Sequence, residues 1–332
     1  MSSYVLSADD EFPHAPTAEP HFNESVYVNA FDHARRWGGW MRLGNRPNEG
    51  YAELAVCLYL PDGRIACQFR RPAIADNARF AAGGLEVRVD TPLRALTMRY
   101  VGDLMIVRDP AVFRDPKTLF ASPTVPAEVE WQHQGTSPVH GGLPAHAEQE
   151  TLYGREFSLG HFNQHTAVRG RLRLGDELFA LEGLGWRDHS WGPRLWQNIL
   201  FDRLYMANFD ERHGLMLLKI ANGNGVVRRG GVLQVDGDYE EITDLDLFNE
   251  WSPERDPTAF RLTVRTARRT ARIHGRVLNC APLRNRRAIA GRMVESRIAE
   301  CFTEFTWDSR VGYGMTEYVE VLRDGIPSGY PL

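Results

Sequence analysis

The residues best suited to chemistry cluster between Gly183 and Gly214. They combine acids, a histidine, an arginine and aromatic side chains: Trp186, Asp188, His189, Trp191, Arg194, Trp196, Asp202 and Tyr205. Carboxyl and imidazole groups can transfer protons, and indole faces attract cations. Burial among aromatic side chains would raise the pKa of an aspartic acid and keep it a proton donor near neutral pH. The cluster therefore predicts a proton-transfer site with aromatic walls.

Two interpretations fit this cluster. In the catalytic interpretation, Asp188 or Asp202 is the general acid and His189 orients or shuttles the proton. The residues predicted to bind the substrate are then Trp186, Trp191, Arg194, Trp196 and Tyr205. In the structural interpretation, the glycines and the proline of this stretch form a sharp corner, Asp188 pairs with Arg194, and the tryptophans fill a core.

Strands are the elements expected to position these residues. Apolar residues alternate with polar or small ones, as in 54–60 and 168–174, which is typical of half-buried antiparallel strands. Asp-Gly and Gly-Asp dipeptides mark turns between such runs. Helical periodicity is confined to short stretches at 244–251 and 284–292. The sequence predicts an all-β protein of barrels or sandwiches.

Composition and missing motifs exclude several classes of protein. The 332-residue chain has a net charge of −4, which argues against a nucleic-acid binder. No apolar run approaches the ~20 residues of a membrane-spanning helix. P-loop, Rossmann and nucleophile-elbow motifs are absent from the sequence, and no organic cofactor is predicted. The four cysteines form no CxxC pair and no signal peptide is visible, which predicts reduced thiols in a cytoplasmic protein.

Candidate residues outside the cluster are expected to be structural. His161 and His165 have a spacing that would place both on one face of a strand, but a metal site there needs a third ligand. Such histidines are more often solvated or structural, so no metal is predicted. Glu24 and Asp32 lie on an apparent first strand and could point into the first barrel, but ion pairs with arginines are the favoured expectation.

A block of arginines occupies residues 261–297, with eleven arginines and a single acid, Glu295. In the simpler interpretation, these arginines form the outward face of alternating strands. In the alternative interpretation, they bind an anionic partner, such as the phosphates of a coenzyme-A thioester.

Three motifs carry a resemblance to a known group of proteins. The string GWRDHSWGPR at 185–194 resembles a motif of a bacterial superfamily that includes carotenoid 1,2-hydratases (hydroxyneurosporene synthases), AttH-like proteins and lipocalin-like pericyclases. FNESVYVNAFD at 22–32 and GYGMTEY at 312–318 extend the resemblance over most of the chain. The chain looks most similar to an uncharacterised branch of this superfamily.

The resemblance implies two tandem lipocalin-like (calycin) antiparallel β-barrels or sandwiches, with the ligand cavity at or near their junction. We therefore expect a flexible N-terminal segment at 1–20 and a first β-domain at 21–180, with a long proline-rich loop at 109–150. The second β-domain is expected at 181–332. Members with known activity act on polyenes, terpenoids or polyketides without a metal or an organic cofactor.

The resemblance also implies a reaction. In the hydratases, an acid protonates a C=C bond and water quenches the carbocation. His189 and Trp191 match the His-x-Trp element of those enzymes. Their Tyr-x-Asp element, which supplies the acid, has no match in this chain, so Asp188, Asp202 or Asp210 would have to replace it.

Together these observations predict a cofactor-independent enzyme for a bulky apolar substrate, such as a terpenoid, a polyene or a steroid-like compound. The reaction would be hydration, dehydration, isomerisation or cyclisation at a C=C bond. The alternatives are a non-catalytic binding protein for a lipid or terpenoid, and an enzyme acting on a coenzyme-A thioester. The expected partner is a small apolar molecule, a homodimer is compatible with the sequence, and neither nucleic acid nor integral membrane association is expected.

Overall fold

The structure is a computed structural model that describes residues 4–146, 148–289 and 292–332. It forms two compact units. The first unit contains the described residues up to Pro61 together with Ala66–Ile106 and Pro123–Leu195. The second unit contains Asp62–Ile65, Val107–Ser122 and the described residues of Trp196–Leu332. Among the described residues, no helix is long and apolar enough to cross a membrane.

Strands dominate both units. The strands of the first sheet are β1 (Tyr4–Val5), β2 (Phe22–Asp32), β3 (Trp37–Arg46), β4 (Tyr51–Tyr59), β5 (Ile65–Arg70), β6 (Ala81–Ala82), β7 (Leu85–Thr91), β8 (Ala95–Val107), β9 (Thr124–Gly135), β10 (His140–Pro144), β11 (Gly160–Leu174) and β12 (Glu177–Pro193). The strands of the second sheet are β13 (Ile199–Asp210), β14 (His213–Asn222), β15 (Val227–Val235), β16 (Asp238–Trp251), β17 (Pro257–Thr266), β18 (Thr270–Ile289), β19 (Arg292–Trp307), β20 (Arg310–Arg323) and β21 (Ile326–Pro327). The helices are short: α1 (Pro116–Phe120) and 3-10 helices at Ala8–Glu11, Pro47–Glu49, Pro110–Arg114 and Trp196–Asn198.

The first sheet closes on itself. Its pairings run in order through β2, β3, β4, β5, β8, β9, β11 and β12, and β12 pairs again with β2. Strands β10 and β1 extend from β11, and strands β7 and β6 extend from β8. Side chains alternate along a strand, so Val28 of β2, Val56 of β4 and Val168 of β11 can all face one interior, where they are almost fully buried.

The second sheet is also a closed antiparallel barrel. Strands β13 to β20 pair in chain order, β13 pairs with β20, and β21 lies beyond β20. Leu217, Leu262 and Ile273 lie in its core with the aromatic rings of Tyr205 and Phe305. The two barrels confirm the predicted fold class: the chain is all-β, with two tandem lipocalin-like antiparallel barrels.

Some stretches differ from the sequence-based expectation. Residues 244–251 lie in β16, and the described part of 284–292 lies in β18 and β19, so neither forms the helical turn that was expected. The segment 109–150, expected to be a long loop, contains α1, a 3-10 helix, β9 and β10. Within β9, Val129 and Trp131 do alternate with more exposed residues, but Pro126 near the start of this strand obscures the pattern.

Candidate functional site

Strand β12 divides the predicted site residues between its two faces. His189 lies opposite Val26 of β2, which belongs to the core of the first barrel, so His189 and Trp191 face the barrel interior. Asp188 and Trp186 project from the other face, because successive side chains of a strand alternate. Asp188 and His189 are therefore neighbours in sequence that the structure does not bring together.

Glu24 of β2 holds His189 inside the first barrel. Nε2 of His189 lies 2.9 Å from Oε1 of Glu24, whose side chain is completely buried. The same oxygen lies 2.6 Å from Nδ1 of His14. The other oxygen, Oε2, accepts hydrogen bonds from the Asn77 amide at 2.5 Å and from the backbone N–H of His14 at 2.8 Å. Glu24 thus joins two imidazole rings and is bonded through both of its oxygens.

These contacts determine the charge of Glu24. Burial alone would raise its pKa, but hydrogen bonds and electrostatic interactions with His14 and His189 outweigh burial and lower the pKa to about 2. Burial by itself would lower the pKa of His14, but contacts with Glu24 and Asp10 outweigh it and raise that pKa. Glu24 is therefore an ionised carboxylate at neutral pH, and it orients both rings.

Aromatic rings surround the imidazole of His189. The ring centroids of Phe80, Phe162 and Trp191 lie 5.3, 5.2 and 5.5 Å from that of His189, in edge-on arrangements. Trp191 also stacks on His14, with centroids 4.1 Å apart. Nδ1 of His189 is buried and has no hydrogen-bond partner among the described residues. Of the two nitrogens of this ring, the carboxylate thus holds only Nε2.

The N-terminal segment, which was expected to be flexible, supplies part of this site. A capping box between Ser7 and Asp10 begins the 3-10 helix that carries Glu11. Oε1 of Glu11 accepts a hydrogen bond from Nη1 of Arg187 at 2.8 Å, and both side chains are almost fully buried. This buried ion pair, together with the contacts of His14, fixes the segment against the first barrel.

A second acid–histidine pair lies on the opposite face of β12. Asp188 makes a short hydrogen bond with Nε2 of His161, and the Tyr153 ring stacks on His161 with centroids 4.4 Å apart. Arg194, predicted to pair with Asp188 or to bind substrate, donates to Oγ of Ser190 at 2.7 Å. Burial is the main cause that lowers the pKa of Arg194 to about 9. On this face Trp186 is buried with its ring edge-on to His165.

The remaining predicted site residues belong to the second unit. Trp196 lies in a 3-10 helix, and Asp202 and Tyr205 lie on β13. Tyr205, predicted to line the pocket, is a core residue of the second barrel whose hydroxyl donates to Oδ1 of Asn249 at 2.8 Å. Burial raises the pKa of Tyr205. The eight predicted site residues are therefore divided between both faces of β12, Arg194 just after that strand, and the second unit.

Buried carboxyl groups lie near Asp202. Glu300 of β19 stands directly opposite Glu317 of β20. Burial, reinforced by the negative charges of Glu317 and Asp202, raises the pKa of Glu300 well above its ordinary value. Burial and these charges therefore favour the protonated form of Glu300.

Several arginines of the block pair with acids of neighbouring strands. Arg265 lies 3.1 Å from Asp244, and Arg269 lies 2.9 Å from Glu240. Arg297 is buried and bonds to Glu320. These pairs favour the interpretation that the arginines form strand faces; the side chains of residues 287 and 292 lie outside the described part of the chain.

One set of residues in the described chain has the composition of a metal site. His14, Glu24 and His189 each offer a ligand atom, and these atoms lie within 4.8 Å of one another. Two imidazoles and a carboxylate are common ligands of zinc. The hydrogen bonds between these residues also satisfy the same atoms without a metal.

Sequence reasoning missed the partners of His189. Glu24 was expected to form ion pairs with arginines, but its charged or titratable partners are His14 and His189. Asp32 does pair with an arginine, Arg35, at 2.8 Å. His14 was not selected, and its segment was expected to be flexible. The Ser7-x-x-Asp10 capping box is the local signal that could have indicated an ordered segment.

Solved structures with this fold cover nearly the whole chain. CghA, which has a crystal structure, is 13% identical in sequence to this chain. The match covers 99% of this chain and 96% of the CghA chain, with a TM-score of 0.58. An AttH-like protein from Nitrosomonas europaea is 15% identical; the match covers 96% of this chain and 98% of that protein, with a TM-score of 0.60. Kievitone hydratase from Nectria haematococca is 9% identical; the match covers 96% of this chain and 94% of the hydratase, with a TM-score of 0.58.

At these identities the matches establish the fold, which is the AttH-like fold predicted from the motif at 185–194. No curated protein matches the sequence significantly. The model of one family, described as "Domain of unknown function (DUF7064)", matches residues 7–321, so the chain belongs to that family.

Proposed function

We propose that this protein is an enzyme that transfers protons at a C=C bond of a bulky apolar substrate, without a metal or an organic cofactor. His189 is the acid–base group, and Glu24 is the carboxylate that orients it. The geometry of these two residues is the main support for this proposal. Nε2 of His189 lies 2.9 Å from a buried carboxylate, and Nδ1 has no hydrogen-bond partner among the described residues.

An imidazole in this setting can act as both base and acid. With its ring hydrogen on Nε2 directed at Glu24, His189 presents the lone pair of Nδ1 to a substrate. When Nδ1 takes up a proton, the ionised Glu24 stabilises the imidazolium that forms. The same nitrogen can then return the proton to a different carbon. Isomerisation needs only these two steps, and hydration or dehydration adds water or releases it.

The surroundings of His189 fit an apolar substrate. The rings of Phe80, Phe162 and Trp191 form apolar walls around the imidazole. In this proposal Trp191 is a wall of the site, and its indole face can stabilise positive charge. Similarity to a protein named as a hydratase supports an enzyme that acts at double bonds, through the shared fold. In this proposal Asp188 and Asp202 do not supply the proton.

The test compares matched variants in D₂O. Desalted protein is incubated with any compound that co-purifies with it and with a panel of terpenoids, polyenes and steroids. Mass spectrometry then detects deuterium incorporation or the addition of water. We expect His189→Gln and Glu24→Gln to lose 10²- to 10⁴-fold in rate, about the contribution of a positioned acid–base group.

Asp188→Asn serves as the discriminating variant, because Asp188 projects from the opposite face of β12. Activity that disappears in Asp188→Asn and survives in His189→Gln would contradict the proposal. A ligand that binds tightly and is always recovered unchanged would instead favour a binding protein. A cytoplasmic location stays a prediction.

A further inference from the structure

A row of hydrogen-bonded polar side chains lies in the interior of the first barrel. Nδ1 of His133 on β9 lies 2.9 Å from the hydroxyl of Thr166 on β11. Two residues away on β11, Gln164 accepts a hydrogen bond from Nε of Arg187 at 2.8 Å. Another nitrogen of Arg187, Nη1, donates to Glu11 at 2.8 Å. Existing partners thus hold each side chain of the row in place.

Two nitrogen atoms of this row have no hydrogen-bond partner among the described residues: Nε2 of His133 and Nη2 of Arg187. Both side chains belong to residues that are only 2% exposed. His133 stands opposite Val168 and Leu96, which are core residues of the barrel. Because a buried polar group without a partner is costly, this pair of atoms indicates a site for a polar group that the chain itself does not supply.

The charges around these atoms favour a neutral oxygen as the missing group. Burial is the main cause that lowers the pKa of His133 to about 3, and the charge of Arg187 adds to it, so the His133 ring is neutral at pH 7. A hydrogen bond donated by Thr166 to Nδ1 would leave the ring hydrogen on Nε2. The charge of Arg187 is already balanced by Glu11. A carbonyl oxygen has no charge and accepts two hydrogen bonds, which matches two N–H donors.

We propose that His133 and Arg187 form a subsite for a carbonyl oxygen, and that the substrate is an apolar enolisable ketone. This inference rests on the proposed function and names its substrate class. Arg187 and His189 are two residues apart on one face of β12, about 7 Å along the strand. Phe162 contacts both of them: its ring centroid lies 5.6 Å from Cζ of Arg187 and 5.2 Å from the centroid of His189.

This arrangement supports a balanced proton-transfer step. Nδ1 of His189 takes a proton from a carbon next to the carbonyl group. The C–H electron pair forms a C=C bond, and the carbonyl π pair moves onto the oxygen. Arg187 and His133 stabilise the resulting negative charge, as donors of an oxyanion hole do. The imidazolium then returns its proton to a carbon while the C=O bond forms again, so no co-reactant is consumed.

A carbonyl group also suits the acid strength of a histidine. Protonation of an isolated C=C bond produces a carbocation and needs a stronger acid than an imidazolium. An enolate carbon, in contrast, accepts a proton readily from an imidazolium, because the product is neutral. The polar row and His189 can therefore act on the same substrate when its double bond is adjacent to a carbonyl group.

The binding test uses two molecules of nearly equal shape, cyclohexanone and methylenecyclohexane, in which C=O is replaced by C=CH₂. Protein labelled with ¹⁵N-histidine reports on Nε2 of His133 by NMR. We expect cyclohexanone to shift this resonance and methylenecyclohexane to leave it unchanged. His133→Phe should weaken cyclohexanone binding about tenfold, the order of one hydrogen bond to a buried donor, without weakening binding of the alkene.

Two further variants guard against loss of folding. Arg187→Lys keeps a positive charge opposite Glu11 but lacks the guanidinium fork, so it should also reduce the preference for the ketone. Glu182→Gln, whose side chain is 72% exposed, is the control and should behave like the wild type. The subsite would be overturned if the ketone and the alkene shifted the His133 resonance equally, or if the ketone did not shift it at all. An ordered water that bridges the two nitrogens and is not displaced by the ketone would also overturn it.

A second measurement distinguishes failure of the subsite from failure of the proposed function. The α-hydrogens of cyclohexanone exchange with D₂O, and ¹H NMR follows this exchange without knowledge of the natural substrate. We expect the wild type to accelerate exchange and His189→Gln to bind the ketone without accelerating it. Selective ketone binding with no accelerated exchange in the wild type would retain the subsite and contradict proton transfer by His189. Accelerated exchange with no selectivity for the ketone would overturn the subsite alone.

Discussion

Asp188 and His189 are adjacent in the chain, yet each has a different acid–base partner on a different face of β12. His189 bonds to Glu24 in the interior of the first barrel, and Asp188 bonds to His161 on the opposite face. A substrate that reaches one of these pairs therefore does not contact the other from the same side. This separation makes the roles of the two pairs testable by single substitutions.

The first prediction concerns Asp188. We expect Asp188→Asn to retain activity within about threefold, because its side chain points away from the His189 ring. It should lower the free energy of unfolding by about 1–3 kcal/mol, since the hydrogen bond to the buried His161 is weakened. Urea denaturation and turnover of the same preparation measure both effects. A large loss of activity with unchanged stability would assign Asp188 a catalytic role.

The second prediction concerns stability against pH. The pKa of Glu24 is lowered from 4.5 to about 2, so its contribution is present above pH 4.5 and is lost as the pH falls towards 2. The pKa of His14 is raised above 6.5, so its contribution is present below pH 6.5 and is lost as the pH rises through the raised value. The two contributions are therefore both present between about pH 4.5 and 6.5.

Urea denaturation over pH 3–9 measures this dependence. His14→Gln should remove the decline in the free energy of unfolding at alkaline pH. The decline at acidic pH, which arises from Glu24, should become smaller. An identical pH profile for wild type and His14→Gln would show that the ion pair of His14 with Glu24 does not contribute to stability.

The third prediction concerns the buried ion pairs of the second barrel. Glu320 is completely buried and accepts hydrogen bonds from Arg203, at 2.9 Å, and from Arg297. Glu320→Gln removes the charge that both guanidinium groups require, so we expect a loss of about 3–5 kcal/mol in the free energy of unfolding. The exposed variant Glu182→Gln should change stability by less than about 0.5 kcal/mol. Similar denaturation midpoints for the two variants would contradict this assignment.

The fourth prediction concerns metal ions. If His189 transfers protons, chelation with EDTA should leave the activity unchanged. Added Zn²⁺ should inhibit, because a metal held by His14, Glu24 and His189 would occupy Nε2 and separate the ring from its carboxylate. Loss of activity on chelation, with recovery on addition of a divalent metal, would replace the proton-transfer account with a metal-dependent one.

The strand pattern and the fold were predictable because they depend on local alternation. Runs such as 168–174 alternate strictly, and β11 is indeed one of the longest strands, Gly160–Leu174. Alternation also predicts that Asp188 and His189 point in opposite directions once β12 is accepted as a strand. The glycines and the proline of this motif obscure the strand pattern, so Asp188 and His189 were assigned to one cluster and not to two faces.

The partners of His189 were not predictable in the same way. Glu24 lies 165 residues from His189 in the chain, and only the pairing of β2 with β12 brings the two together. Such register between distant strands depends on how the whole barrel closes. His14 and Glu11 come from a segment with several prolines and acids, whose composition resembles a flexible terminus until buried partners are known.

The most direct test of the central claim is the rate of deuterium incorporation at carbon, measured for the wild type and for His189→Gln with the same compound in D₂O. The account predicts that the wild type incorporates deuterium from solvent and that His189→Gln does so at least about 100-fold more slowly, while both proteins have the same fold by circular dichroism. Equal rates of incorporation in the two proteins would contradict proton transfer by His189.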